Sequence, residues 1–467
     1  MRSTIAFLML MVCCSGCAMG PRYHEPAMEI PKTYRSYNTQ QEGEAMINLP
    51  WWGVFKDPVL QGLIREAMTN NYDLRAAAWR VEEARAVVGS TSSQLFPQVD
   101  LTGGISRERN SQDSTPALNR FSSTYTGGFN TGWEVDVWGK IRQAVVSAKA
   151  QYLATENARK GVMVTLVADV AETYFKILEL DLELDISKKT LQTRRDNLEL
   201  FSKRFKGGVA SELETSRAAA DYEQTAANIP DLERQIANQE NKLSALLGRN
   251  PGAINRTAVL SQESFVPGLP GTGLPSELLK NRPDIMEAEQ LLRSANAEIG
   301  VAEGEFMPSF NMTNFLGVEG NRFPDAFSSK GYTWSLGGNT DLPVFDGGKN
   351  LSGYAGAKAT WSEYMASYKQ KVVGAFREVS DALVNIDKVK AVRESQEKQV
   401  DALKKSANLS RSRYEEGYSS YLEVINADQQ YYEAQNQLAR TQGSQAIYYV
   451  QLYRALGGGW QVEPDKK

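Results

Sequence analysis

The side chains best suited to acid–base, nucleophilic or metal chemistry are scarce in this sequence and crowded at one end. Its 467 residues hold one histidine, His24, and three cysteines, Cys13, Cys14 and Cys17. Nothing downstream of His24 supplies a Ser-His-Asp triad, an H-E-x-x-H helix or a Cys/His zinc site. No G-x-x-x-x-G-K-[ST] loop is present to cradle a nucleotide. Carboxylates remain, but no paired-carboxylate context stands out. The expectation is a non-enzyme with no cofactor and no metal. A net charge of -4 with 23% charged residues lacks the basic excess of a nucleic-acid binder.

The chemistry the cysteines do point to is processing. Arg2 gives a positive start, Ile5 to Val12 is a short apolar run, and the small residues Ser15 and Gly16 precede Cys17. This is the pattern of a secretory signal, expected over 1–16. Cys14-Ser15-Gly16-Cys17 resembles a bacterial lipobox, although Leu is usual where Cys14 stands. A lipid attached at Cys17 is expected, and that residue would then be the only cysteine of the mature chain and already acylated. Ala18, not Asp, follows it, which implies sorting to the outer membrane.

The rest of the chain must be a scaffold for whatever reaches that membrane. Mean hydropathy is −0.42, and no stretch near 20 apolar residues occurs to form a transmembrane helix. A closed β-barrel is the remaining way across a bilayer. Internal repetition is visible. Asp73 matches Asp284 and Pro97 matches Pro308 at one spacing. Lys140 matches Lys349, Arg204-Phe205 matches Arg413-Tyr414, Gly208 matches Gly417, and Leu247-Gly248 matches Leu456-Gly457, all at a spacing two residues shorter. The Pro/Gly-rich junction near Asn250 to Pro283 reads as a linker.

Each half reads helix, two strands, a very long helix, helix. In Gln98 to Arg107, Val99, Leu101, Gly103 and Ile105 alternate with Asp100, Thr102, Gly104 and Ser106. In Thr124 to Val137, Tyr125, Phe129, Trp133, Val135 and Val137 oppose Thr126, Asn130, Glu134 and Asp136. The second half repeats this, with Phe310, Met312, Leu316 and Val318 in one segment and Tyr332, Trp334, Leu336 and Leu342 in the other. Period two with one apolar face marks a half-buried strand, and strands of about ten residues suit a tilted membrane crossing. From Gly139 to Lys206, Met163, Val167, Val170, Tyr174, Leu178 and Leu182 recur at threes and fours, predicting about 68 residues or roughly 100 Å of helix. Gly347 to Glu416 matches it. Such helices pack along their sides. Partner helices over Ser211 to Leu247 and Ser420 to Leu456 return after breaks at Gly207-Gly208 and Gly417.

Four strands cannot close a barrel, since single-chain membrane barrels start at eight. Several copies must pool strands: two would give eight and three would give twelve. An eight-stranded barrel is filled by side chains, and a conduit favours three.

Trp51-Trp52, Phe55, Asp57-Pro58, Leu60, Leu63-Ile64, Asn71, Leu74, Ala77 and Ala84-Arg85 resemble the opening of TolC-like outer-membrane factors of the NodT type. So does Cys17 followed by Gly20-Pro21 and Tyr23. Asn281-Arg282-Pro283-Asp284-Ile285, Ala288-Glu289, Ile299-Gly300 and Pro308 look like the start of that family's second repeat. The resemblance implies a mixed fold of α-helices and membrane β-barrel. It is internally duplicated, with four transmembrane strands per protomer, a twelve-stranded barrel in a homotrimer and a twelve-helix periplasmic α-barrel. It implies a passive efflux duct, lipid-anchored in the outer membrane and extending into the periplasm. Its partners would be a periplasmic adaptor (membrane fusion) protein and an inner-membrane RND-type transporter. The expected division is 1–16 signal, 17–56 lipidated extended segment, 57–250 first repeat, 251–282 linker, 283–458 second repeat and 459–467 tail.

The resemblance also assigns sites. Arg204, Gly207, Gly208 and Ser211, with Arg413, Gly417 and Ser420, match the family's periplasmic helix-turn-helix tips, where the adaptor docks. Leu422 and Asn426 lie four apart on one helix face and match positions that ring the closed aperture. Asn426 stands where relatives often carry Asp: a ring of Asn can close by hydrogen bonds but carries no charge, which puts an anionic gate in doubt and leaves the two kinds of gate open. Arg413 is a candidate to pair with an acid on a neighbouring helix. Two alternatives remain open at this point: the exit duct of a type I secretion or metal-efflux system, and a structural envelope lipoprotein. A channel should require detergent for extraction and run as an SDS-resistant trimer. A brace should be released once the Cys17 anchor is replaced.

Overall fold

Glycines, prolines and capping residues set where the elements of this chain begin and end. The computed structural model describes residues 19–31, 33–34, 50–109, 121–256 and 275–460. The signal segment and Cys17 fall outside the described residues. The described elements are α1 (Trp51–Val54), α2 (Pro58–Asn70), α3 (Tyr72–Ser93), β1 (Gln98–Arg109), β2 (Phe121–Glu134), α4 (Lys140–Lys206), α5 (Glu212–Leu246), α6 (Pro275–Asn281), α7 (Pro283–Gly304), β3 (Ser309–Gly320), α8 (Phe323–Ala326), β4 (Tyr332–Asp341), α9 (Lys349–Glu415) and α10 (Tyr421–Ala455). The long helices α4 and α9 have 67 residues each, and the returning helices α5 and α10 have 35 each. The chain forms two compact units that cut across the sequence halves. One includes 79–156 and 287–369 with the N-terminal segment up to Ala27. The other includes 28–78, 157–286 and 370–467.

The first unit is built on an antiparallel sheet in the order β1-β2-β3-β4. Its register places Leu101 opposite Phe129, Phe129 opposite Leu316, and Leu316 opposite Trp334. The alternation in all four strands therefore adds up to one apolar face. The other face carries Asp100, Thr102, Asn130, Asn311, Thr313, Ser335 and Asn339. Large side chains of the apolar face are bare: Leu101 is 75% exposed and Trp334 66%. Phe315 is one exception to the alternation. It lies on the polar face, and its ring end covers the spot where Gly128 and Gly317 meet. A Cβ on Gly128 would sit 2.6 Å from Gly317 Cα, so only a glycine pair fits, and the ring fills the gap above it.

The strand expected over Thr124 to Val137 instead spans Phe121–Glu134. Val135 still donates its N–H to the Phe310 carbonyl at 2.8 Å, but Asp136 turns away to cap α4. Its carboxylate accepts the Ile141 and Arg142 N–H groups at 3.1 and 2.9 Å. The N-terminal segment is strapped to this corner. Met19 donates to the Trp138 carbonyl at 3.0 Å, and Gln143 and Asn296 side chains donate to the carbonyls of Met19 and Pro21 at 2.9 and 2.7 Å. Gly20, at φ 115°, rests on Gly300, where a Cβ would lie 2.7 Å from Gly300 Cα.

The second unit buries the face of α4 foreseen from its periodicity. Met163, Val167, Val170, Tyr174 and Leu178 are buried. Phe55 meets Phe175 and Tyr453, with ring centroids 6.5 and 5.9 Å apart. Asp57 accepts the Val59 N–H at 2.8 Å, capping α2, and the Tyr174 hydroxyl at 2.7 Å. On α10, Gly443 lets the helix approach α4: a Cβ there would lie 2.7 Å from Glu179 Cβ, and Glu179 is buried beside Lys176. Gly374 on α9 has open space around it. Gly443→Ala is expected to lower stability by about 1–3 kcal/mol through overpacking. Gly374→Ala is expected to raise it by roughly 0.5–1 kcal/mol through helix propensity. Thermal unfolding in detergent of the two variants side by side checks the opposite signs.

Candidate docking tip and aperture

Both helix-to-helix turns belong to the second unit, and each is closed by a left-handed glycine. At the end of α4, Gly208 has φ 73°, with its N–H on the Phe205 carbonyl and the Val209 N–H on the Arg204 carbonyl at 2.9 Å each. At the end of α9, Gly417 has φ 81°, and the Tyr418 N–H reaches the Arg413 carbonyl at 2.8 Å. Neither glycine has an atom within 4 Å of where a Cβ would stand. Backbone conformation, not space, demands glycine here. Gly207 is exposed and continues the helix, its N–H on the Lys203 carbonyl.

The starts of the returning helices differ. Ser211 forms a full capping box: its hydroxyl accepts the Glu214 N–H at 3.2 Å, and the Glu214 carboxylate accepts the Ser211 N–H at 2.8 Å. Ser420 and Glu423 have the same spacing, yet Ser420 makes no side-chain cap. Arg204 lies over the Tyr414 ring at 5.8 Å and joins α4 to α9. Arg413 is exposed and, among the described residues, makes no ion pair within the chain; the pair in this region belongs to Arg411. Leu422 and Asn426 are both exposed on α10, four residues apart on one face.

Contacts that sequence reasoning did not find tie the two hairpins together. Phe201 is buried, with its ring 3.8 Å from that of Tyr421 and 5.9 Å from that of Tyr414, and Ala218 and Val424 complete the cluster. All four helices contribute. Farther along, Arg194 is 5% exposed and pairs with Asp221 at 2.8 Å, while its guanidinium lies 5.4 Å from the Tyr432 ring. Arg411 pairs with Asp428 at 3.1 Å. Arg194, Arg411, Asp428, Tyr431 and Tyr432 flank a cleft of about 540 Å³. Burial raises the Asp221 and Asp428 carboxyls above their ordinary value, outweighing the lowering by Arg194 and Arg411. Phe201 was visible only as one more apolar residue. Nothing in the sequence announced that Arg194 would find Asp221.

Among the described residues, no cluster of His, Cys, Asp or Glu is arranged to hold a metal ion. No described helix is long and apolar enough to cross a membrane. Residues 63–249 and again 274–458 match the outer membrane efflux protein family. The chain belongs to that family. It is 33% identical to the solvent efflux pump outer membrane protein SrpC of Pseudomonas putida over 99% of both chains. It is 30% identical to the cation efflux system protein CusC of Escherichia coli O6:H1 over 96% of both. Among solved structures, the open state of the MtrE outer membrane channel of Neisseria gonorrhoeae superposes with a TM-score of 0.86 at 27% identity, covering 95% of this chain and 99% of that one. The protein is thus a TolC-like outer-membrane factor, an efflux protein of the cell outer membrane, and its family consists of channels rather than enzymes.

The two ion pairs at the tip differ in burial, and their removal should differ accordingly. Asp221→Ala strands the buried Arg194 and is expected to cost about 3–5 kcal/mol. Asp428→Ala frees the half-exposed Arg411 and is expected to cost about 1 kcal/mol or less. Limited proteolysis at the tip, read against temperature, checks the order.

Proposed function

We infer that this chain is the exit duct of a tripartite efflux system. Three copies pool their strands into a twelve-stranded barrel and their long helices into a twelve-helix α-barrel, each copy being a duplicated unit. The observation that carries this reading is the four-stranded sheet, with a bare apolar face, a polar opposite face and free edges at β1 and β4. In lipid those edges need partners, and the polar face suits a wet lumen. Equal helix lengths and the double family match support the duplication. The strap from Met19 onward supports a lipid at Cys17, because it holds the chain two residues past Cys17 against the corner between β2 and α4.

A periplasmic adaptor docks on the tips formed by Arg204, Gly207, Gly208 and Ser211 and by Arg413, Gly417 and Ser420. An inner-membrane RND-type transporter supplies the energy. Relatives named for cations and for solvents both align over nearly the full length. Small molecules are therefore the cargo, and the duct leaves selectivity mainly to the pump. Leu422 and Asn426 ring the aperture, and Asn426 closes by hydrogen bonds without a fixed charge.

Two measurements test this. Asn426→Ala in planar bilayers is expected to raise the closed-state leak; an unchanged leak removes the aperture role. Gly417→Val forces a β-branched residue to positive φ, at a cost of about 1–2 kcal/mol. It is expected to reduce adaptor co-purification while the SDS-resistant trimer persists; normal co-purification removes the docking role.

A further inference from the structure

The apolar face of the sheet has a dent in it. Gly103 and Gly127 lie directly opposite each other on β1 and β2, on the face that carries Leu101, Ile105, Tyr125 and Phe129. The chain itself requires neither glycine. Neither has a left-handed φ. A Cβ on Gly103 would meet no atom within 4 Å, and one on Gly127 would touch only Val318 Cγ2, at 3.9 Å. Gly128 and Gly317 differ, because there the two backbones leave no room. Glycine weakens a strand interior and often marks the close approach of a ligand or another backbone.

Around the dent lies a groove of about 500 Å³ with no charged side chain in its lining, within the size range of small-molecule sites. The short helix α8 folds back over the same face to wall it. The Phe323 ring stands edge-on to Tyr125 at 6.1 Å and lies 5.2 Å from the Phe327 ring. Gly320 permits that return, since a Cβ there would sit 2.5 Å from the Ala326 N. Phe323 and Phe327 are nonetheless exposed. Past Ile105 the chemistry changes. Arg107 and Arg109 continue the same face of β1, about 7 and 14 Å farther along the strand. Both are exposed, and the Arg107 guanidinium lies over the Phe121 ring at 5.7 Å. Among the described residues neither makes an ion pair. Glu108 falls on the opposite face. This end of the sheet is the one away from α3 and α4.

We propose that this groove and the two arginines bind one phosphorylated glycolipid of the outer leaflet, of the lipid A class, with an acyl chain in the groove and phosphate on Arg107 and Arg109. This rests on the reading above that the sheet crosses the outer membrane with its helices on the periplasmic side, which puts the hairpin end at the outer leaflet. The glycine floor lets a chain lie against the backbone, where many small dispersion contacts add up. The planar fork of arginine matches phosphate with two parallel hydrogen bonds, and the Phe121 ring steadies one fork at the rim. A zwitterionic lipid could offer the chain but not the net negative charge that two unpaired guanidiniums call for.

The test uses the full chain in detergent, titrated with lipid A and with its dephosphorylated form and read by native mass spectrometry. The unmutated trimer is expected to hold lipid A at least about tenfold more tightly than the dephosphorylated form. Arg107→Gln with Arg109→Gln is expected to remove that preference. Gly103→Leu, which fills open space in the groove, is expected to weaken both probes about tenfold while the trimeric mass stays. Phe327→Ala, which removes an exposed wall without adding bulk, is expected to weaken both as well and serves where Gly103→Leu does not assemble. Equal affinity of the unmutated trimer for the two probes, or unchanged binding in the groove variants, overturns the site while leaving the trimer standing. Loss of the trimer in Gly103→Leu with lipid held as before gives the groove to a neighbouring copy and overturns the site too. A monomeric mass of the unmutated protein overturns the pooled barrel itself, and the site falls with it.

Discussion

Every backbone N–H and C=O that enters hydrocarbon must find a partner, because no water is there to serve as one. On the proposed reading that demand falls on a sheet of only four strands with an open edge on each side. The apolar face and the polar face both follow from it. Apolar residues are left bare where a soluble protein would cover them, and the opposite face keeps amides, hydroxyls and carboxylates. On the same reading, a sheet completed by those of other copies encloses a passage instead of a core.

The second unit satisfies a different constraint. Helices of 67 residues have no globular core to wrap, so they are held by side-by-side contacts spaced along their length. Those contacts are of two kinds. Small residues such as Gly443 let backbones approach, and aromatic residues such as Phe55, Phe175 and Tyr453 fill the wider gaps. Charged pairs add little where exposed and are expensive to break where buried, as Arg194 is. The tips inherit this pattern, with an aromatic cluster joining all four helices and ion pairs beyond it.

Much of this was legible in the amino-acid sequence, and the reason is punctuation. The long helices begin and end within one or two residues of where Gly139, Gly207-Gly208, Gly347 and Gly417 placed them, because left-handed glycine is a local requirement. The strand faces were legible for the same reason, period two being local. The failures are non-local. Strand β2 ends three residues early because Asp136 is recruited to cap a helix. Phe315 sits on the polar face because Gly128 and Gly317, far apart in sequence, meet beneath it. The turn residues of the tips could be read directly. Phe201 against Tyr421 and Arg194 against Asp221 could not, since periodicity says which side of a helix is inward and not what it touches.

The two returning helices have equal length but unequal beginnings. Helix α5 starts from a reciprocal serine–glutamate clasp, whereas α10 starts from Ser420 with no side-chain hydrogen bond, beside a Ser419 hydroxyl that is buried without a partner. A missing clasp of this kind is worth about 1 kcal/mol. The opening turn of α10 therefore frays several times more often than that of α5, and α10 is the helix that carries Leu422 and Asn426. Each chain has one firmly capped helix start and one compliant one, and the compliant one lies nearest Leu422 and Asn426.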